Sequence, residues 1–139
     1  MRPKTPKHRK TPRRVVSDSH LRMIRQLPCI LSGRPAEAAH ISYGDLDNDK
    51  AHNGMALKAD DRWVVPLAPE LHRLATSSQH HSGVNERDWW QQFGIDPLEI
   101  AQRLWRCGRN LEALEGVVAS VHIGPEARAR VLEILEETK

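Results

Sequence analysis

The chain has 139 residues, with 39% hydrophobic and 28% charged side chains and a formal net charge of +3. That length suits one small domain with appendages and leaves little room for two independent cores. No run of about 18 apolar residues occurs, so we expect no membrane span. Two cysteines are too few for a disulfide framework, which favours a reducing, cytoplasmic setting.

The positive charge is concentrated at the N-terminus. Seven of the 21 Lys and Arg residues lie in the first 14 positions, where no acid occurs, and the remaining chain has 14 basic against 18 acidic side chains. Because this proline-containing segment carries too little apolar surface to fold, residues 1–16 are predicted to be a disordered tail. Such arms bind phosphates by releasing counterions. We therefore expect DNA contacts from Lys4, Lys7, Arg9, Lys10, Arg13 and Arg14, the alternative being a solubilising extension without a role.

The first elements after the tail are predicted to be a helix, a tight turn and a strand. The stretch from Ser17 to Leu27 offers a cap followed by apolar residues at helical spacing, which predicts a helix that Pro28 ends. A Ser-Gly-Arg-Pro turn follows at 32–35, and residues 38–42 are expected to return as a short strand. Residues 43–57 have the composition of an exposed polar loop.

A second strand and several helices complete the prediction. Arg62–Leu67 is the strongest strand candidate, and the adjacent Pro69 and Glu70 open a helix. That helix is expected to loosen at 75–78. Three further helical stretches are predicted, at 85–93, from residue 97 with an interruption near Gly108, and at 125–137.

This order of elements predicts an α+β fold. The predicted organisation is a tail at 1–16, a domain at 17–98 and a C-terminal helical pair at 99–139. The amphipathic pair is compatible with packing on the domain, with dimerisation or with partner binding.

Two histidines carry the functional hypothesis. His40 ends the first predicted strand and His72 lies just inside the helix after the second, an order typical of a small ββα metal finger. In such a site a neutral imidazole takes a proton from the attacking water, and a divalent ion stabilises the phosphate and the departing oxygen. His40 is the candidate base and His72 the candidate metal ligand. The alternative for each is a half-buried structural histidine.

The second ligand is expected from His80 or His81. At about 100° per residue, an uninterrupted helix places His80 some 80° from His72 and His81 about opposite to it, so His80 is the first choice. A break at the serines removes that argument, and a solvated pair without a role is the alternative.

Carboxylates near the strands are further candidates. Asp60 and Asp61 precede the second strand, where either can approach the ion or orient a water, although a plain turn is an equal reading of Asp60. Asp45, Asp47 and Asp49 share the first spacings of a calcium loop. The sixth position lacks glycine and the twelfth lacks glutamate, so calcium binding has little support.

A family resemblance extends from about Leu21 to Leu104. It rests on motifs whose order and spacing are more specific than any one of them, namely Leu27-Pro28-Cys29, Ala38-Ala39-His40-Ile41, Gly54-x3-Lys58-x2-Asp61-Arg62-Trp63-x2-Pro66-Leu67, Leu71-His72-Arg73, Gln79-His80, Asn85-Glu86-x2-Trp89-Trp90 and Gly94-Ile95-Asp96-Pro97. This text resembles phage and prophage HNH-superfamily nucleases related to the recombination enhancement function protein.

The resemblance implies a small ββα-metal (HNH, or His-Me finger) core with flanking helices. It implies a metal-dependent DNA endonuclease in the bacterial cytoplasm, with His40 as general base. Asp61 is a further catalytic candidate, which could approach the ion or orient a water. His72, His80 and His81 would surround one divalent ion, Mg²⁺ or Mn²⁺, with Zn²⁺ a further candidate in crystals. Lys58 would contact DNA.

Two features of the sequence depart from the pattern of these nucleases. Relatives often carry cysteines for a structural zinc where this chain has Ser32 and Ala68, and a single thiolate does not complete a four-cysteine site. We therefore expect no structural zinc, with Cys29 packed as a small apolar residue. Ala39 stands where many HNH enzymes carry an acidic ligand, so one ligand must come from Asp61 or His80. A catalytically inactive DNA-binding, recombination-accessory or structural phage protein is the alternative function.

Overall fold

The computed structural model describes residues 15–44 and 60–139, and its fold is α+β. The elements in chain order are α1 (Asp18–Arg25), β1 (Glu37–His40), β2 (Val64–Leu67), a π-helical segment (Glu70–Leu74), α2 (Glu86–Gln91), α3 (Pro97–Arg106), α4 (Leu111–Ala119) and α5 (Pro125–Glu136). Among the described residues, no helix has the length and apolar character needed to cross a membrane.

Several predicted DNA contacts and the loop acids lie outside the described residues, and their roles stay predictions. They are Lys4, Lys7, Arg9, Lys10, Arg13, Arg14 and Lys58 together with Asp45, Asp47 and Asp49.

Helix α1 begins where the sequence predicts. The Ser17 hydroxyl accepts a hydrogen bond from the His20 backbone N–H at 3.3 Å, which satisfies one of the free donors of the first turn. Ile24 is completely buried, and the helix packs against both strands. This contact places the N-terminus of α1 beside the start of β2.

The two strands form an antiparallel ribbon. Glu37 pairs with Leu67 and His40 pairs with Val64, so the end of β1 lies beside the start of β2. All four residues of β2 are buried, because α1 and α3 both pack against this strand. The strand is shorter than the predicted Arg62–Leu67, although an N–H bond from Ile41 to the Trp63 carbonyl extends the pairing by one residue.

The C-terminal helices belong to the same hydrophobic core. Gly108, with a φ of 58°, adopts the left-handed conformation between α3 and α4, so the predicted interruption is confirmed. Val131, Ile134 and Leu135 of α5 are buried, and this helix packs against the π-helical segment. The predicted boundary between residues 98 and 99 falls inside α3, and the core continues through it.

Candidate functional site

A short helix with widened geometry carries His72. The Ala75 N–H donates to the Glu70 carbonyl at 3.0 Å, a bond between residues five apart that defines the π-helical turn. Such turns are rare and are found frequently at functional sites. Leu71 is completely buried and fixes the segment to the core, so that the neighbouring His72 lies at its surface.

The carboxylate of Glu37 holds one side of the His72 ring. Its Oε1 atom lies 2.6 Å from His72 Nδ1 and also accepts from Arg73 Nε at 2.9 Å. Since an ionised carboxylate only accepts hydrogen bonds, Nδ1 carries the proton and Nε2 of the neutral ring is an acceptor. A carboxylate behind a histidine is the arrangement that orients imidazole ligands in metal proteins.

His80 donates a hydrogen bond from its Nε2–H group to the Nε2 atom of His72. The two Nε2 atoms are 3.0 Å apart, and the ring centroids are separated by 4.6 Å. The helix ends where it is expected to loosen, since Ala75 is extended with φ −73° and ψ 153°, so the angular argument for choosing His80 over His81 does not apply.

The chain after the serines returns alongside the π-helical segment. The Gln79 N–H donates to the Leu71 carbonyl at 2.9 Å, and the His80 N–H donates to the His72 carbonyl at 3.1 Å. These two bonds place the imidazoles side by side. His81 is exposed, and its side chain has no hydrogen-bond partner in the described part of the chain.

The charges around this pair favour the ligand form of the imidazole. Burial lowers the pKa of His72, an effect that the hydrogen bond to Glu37 only partly opposes. Burial disfavours ionised Glu37, but hydrogen bonds from Arg73 and His72 outweigh it and lower the pKa of that carboxyl. A neutral imidazole and an ionised carboxylate are therefore present at neutral pH, as metal binding requires.

The two imidazoles fit a divalent ion as a pair of nitrogen ligands. Tetrahedral zinc with nitrogens at about 2.0–2.1 Å separates them by about 3.3 Å, close to the 3.0 Å between the Nε2 atoms of His72 and His80. No group of three or more His, Cys, Asp or Glu side chains arranged to hold a metal occurs in residues 15–44 and 60–139. The remaining coordination positions would therefore fall to water or phosphate oxygens.

His40 forms a separate pair with Asp61. Its Nε2 atom lies 2.8 Å from Asp61 Oδ1, and the His40 side chain is 35% exposed whereas that of Asp61 is 2% exposed. The other carboxylate oxygen, Oδ2, accepts from the Ser17 N–H at 2.8 Å. Both oxygens of Asp61 therefore hold protein groups, which suits an orienting residue better than the metal ligand considered from sequence.

The neighbouring Asp60 has a turn role. Its carboxylate accepts hydrogen bonds from the Arg62 side chain and from the Val15 N–H. Burial opposes its ionisation, but these bonds outweigh that effect and lower the pKa of Asp60. These contacts match the structural turn predicted as one alternative for Asp60 rather than an approach to a metal ion.

The structure brings the predicted site residues together in two pairs. His72 lies with His80, and His40 lies with Asp61, without a direct hydrogen bond between the pairs in the described chain. Strand β1 connects them, because Glu37 and His40 are three residues apart, about 10 Å along a strand. Side chains alternate between faces of a strand, so β1 alone does not direct both pairs to one point.

Sequence reasoning missed Glu37 and Ser17. Glu37 is an acid in a strand with no motif to mark it, and its relation to His72 depends on the register of β1 with β2. Ser17 was recognised as a helix cap, but its N–H bond to Asp61 depends on tertiary packing. Ala39 is completely buried and supplies no ligand.

Cys29 packs as predicted. It is 3% exposed within the core, and its sulfur accepts hydrogen bonds from the N–H groups of Leu31 and Ser32, each at 3.4 Å. Gly33, with φ 72°, completes this turn in the left-handed conformation.

The comparison with protein families identifies one match. The chain belongs to the family described as protein of unknown function (DUF968), whose model matches residues 2–107. Comparisons with curated proteins and with solved structures gave no significant match.

Proposed function

We propose that the protein is a metal-dependent DNA endonuclease with a ββα-metal site. The observation that carries the proposal is the pair of imidazoles His72 and His80, whose Nε2 atoms lie 3.0 Å apart with Glu37 fixed on the far side of His72. The His40–Asp61 pair supports it, because a carboxylate-oriented imidazole at the end of the strand that also carries Glu37 has the parts of a general base. The resemblance to HNH-superfamily nucleases adds the substrate class.

His40 acts as the base through its Nδ1 atom. The Nε2–H group donates to Asp61, so Nδ1 is the unprotonated nitrogen and accepts the proton of the attacking water. Asp61 then stabilises the imidazolium, as the carboxylate of a catalytic triad does. Since Asp61 is itself fixed by the Ser17 N–H, the ring is oriented before the substrate binds.

His72 and His80 would hold the divalent ion, and Glu37 would orient His72. When bound, the ion supplies Lewis-acid stabilisation of the phosphate and of the departing oxygen. Imidazole nitrogens suit Mn²⁺ and Zn²⁺ better than Mg²⁺, which prefers oxygen ligands. We therefore rank Mn²⁺ above Mg²⁺ as the supporting ion.

A catalytically inactive DNA-binding protein is the second candidate. Ala39 stands where the resembling nucleases often carry an acidic ligand, and its complete burial leaves that position without a donor. Two protein nitrogens then hold the ion with no carboxylate in direct contact, which is a reduced ligand set. In this alternative the finger is a scaffold that binds DNA.

Cleavage of supercoiled plasmid distinguishes the two candidates. Purified protein should nick the plasmid with Mn²⁺ and lose this activity when EDTA removes the ion. A parallel preparation of His40→Ala should bind DNA normally without cleaving it. Equal cleavage by the wild type and by His40→Ala would indicate a contaminating nuclease and reject the enzyme assignment.

A further inference from the structure

The C-terminal helices lie beyond the part of the chain that defines the family. The family model ends at residue 107, whereas α4 and α5 occupy residues 111–119 and 125–136. Even so, α5 packs directly against the π-helical segment that carries His72. The end of this helix also reaches the connection between His72 and His80.

Glu137, which caps the C-terminus of α5, binds the middle of that connection. Its Oε2 atom accepts from the Ser77 N–H at 2.8 Å, and its Oε1 atom accepts from the Ser77 hydroxyl at 2.6 Å. The Ser77 carbonyl accepts from the indole N–H of Trp89 at 3.0 Å. Every polar group of Ser77 is therefore hydrogen-bonded. The N–H and the hydroxyl both donate to the Glu137 carboxylate.

Holding Ser77 fixes where the chain turns back towards His72. The next residue, Ser78, is completely buried, and the two after it form the backbone bonds from Gln79 to Leu71 and from His80 to His72. Within the connection itself, the Ser78 N–H donates to the Ala75 carbonyl at 3.0 Å. A shift at Ser77 would be passed to the His80 ring within three residues.

We propose that helix α5 supports the metal centre and that Glu137 is a positioning residue, which sets the separation of the His72 and His80 imidazoles by holding Ser77. This inference rests on the proposed metal-binding function. The ionised form of Glu137 is the one that binds, because hydrogen bonds from the Ser77 hydroxyl and N–H lower the pKa of its carboxyl.

Glu137→Ala, compared with Glu136→Ala, tests the proposal on the full-length chain. Glu136 is the adjacent exposed acid, and its carboxylate pairs with Lys139 at 2.7 Å, so the control removes the same charge without touching Ser77. Because Glu137 is exposed, its removal leaves the core packing unchanged. Glu137→Gln keeps one acceptor oxygen and should give an intermediate effect.

Two readouts are compared, Co²⁺ binding followed by its visible absorption and hydrogen exchange of the Gln79 and His80 amides. Charge-assisted hydrogen bonds at an exposed position predict roughly threefold to tenfold weaker Co²⁺ binding for Glu137→Ala, with a changed ligand-field spectrum. Exchange at the two amides should accelerate by a similar factor. Glu136→Ala should match the wild type in both.

Unchanged exchange in Glu137→Ala overturns the positioning role, as does a Co²⁺ spectrum and affinity equal to the wild type. If the wild type binds no Co²⁺, the proposed metal function fails, but the exchange measurement still decides whether Glu137 holds the connection. Accelerated exchange in Glu136→Ala to the same extent would also overturn the inference, because it would show a general charge effect.

Discussion

The Nε2 atom of His80 lies 3.0 Å from that of His72, on the opposite side of the His72 ring from the Glu37 carboxylate. This relationship predicts that either imidazole is required for metal binding. His72→Ala and His80→Ala should each abolish measurable Mn²⁺ or Zn²⁺ binding in calorimetry. His81→Ala is the matched control, because this exposed neighbour has no side-chain hydrogen bond to either ring among the described residues. Full affinity in His80→Ala would remove that residue from the site.

Glu37 should tune metal affinity through His72. Glu37→Gln keeps the size of the side chain but replaces the carboxylate that fixes the Nδ1 proton, and loss of such a partner weakens metal binding by about tenfold to a hundredfold. Glu86→Gln is the control, since Glu86 binds the Ser42 N–H rather than a histidine. Equal affinities of the two variants in competition with a chelator would contradict the orienting role of Glu37.

Stability of the metal-free protein should decrease as the pH is lowered through the histidine range. Burial lowers the pKa of His20 and of His72 below the ordinary value of 6.5. The unfolded chain therefore binds protons first, so the stabilisation is complete above about pH 6.5 and is lost as the pH falls towards the folded pKa values. Urea unfolding in EDTA from pH 7.5 to 5 measures this. A free energy of unfolding that stays constant over the range contradicts it.

His20→Phe should reduce this pH dependence. His20 is 4% exposed, and its ring packs edge-on against Trp105 at 4.8 Å. Its Nε2 atom is buried without a hydrogen-bond partner among residues 15–44 and 60–139. Phenylalanine keeps the aromatic contact and removes both the unpaired nitrogen and the titration. The variant should be equally stable or more stable at pH 7. Below pH 7 its free energy of unfolding should fall less steeply with decreasing pH than that of the wild type. A slope identical to the wild type would exclude His20 as a contributor.

The N-terminal tail should govern the salt dependence of DNA binding. Deleting residues 1–14 removes seven cationic side chains, and each phosphate contact contributes about 0.9 to the slope of log K against log salt. Fluorescence anisotropy at several salt concentrations should therefore show weaker binding and a slope closer to zero. An unchanged slope in the deletion variant would reject the phosphate-binding role.

Local signals predicted much of the fold. The Ser17 cap, the stop at Pro28 and the break at Gly108 act within a few residues, so the sequence placed α1 and the α3–α4 interruption. For residues 75–78 the sequence predicts only that the helix carrying His72 loosens. Its actual geometry returns His80 to His72 through backbone bonds that periodicity does not reveal.

Long-range contacts at the site were not predictable in this way. Glu37 reaches His72 because β1 pairs with β2 in one register, and Glu137 reaches Ser77 because α5 folds back over 60 residues. Neither acid belongs to a motif. The histidines could be recognised as candidates from their residue type and position in the sequence. Their carboxylate partners could be recognised only from the packed structure.

The central claim is that His40 and the His72–His80 pair act on one phosphate, and paramagnetic broadening by Mn²⁺ tests it most directly. Adding Mn²⁺ to protein with labelled histidines should broaden the His40 ring signals together with those of His72 and His80. Zn²⁺ should cause no broadening, and His72→Ala should lose the Mn²⁺ effect. A His40 signal that stays sharp while the other two disappear would show that the base is remote from the ion and would contradict the nuclease assignment.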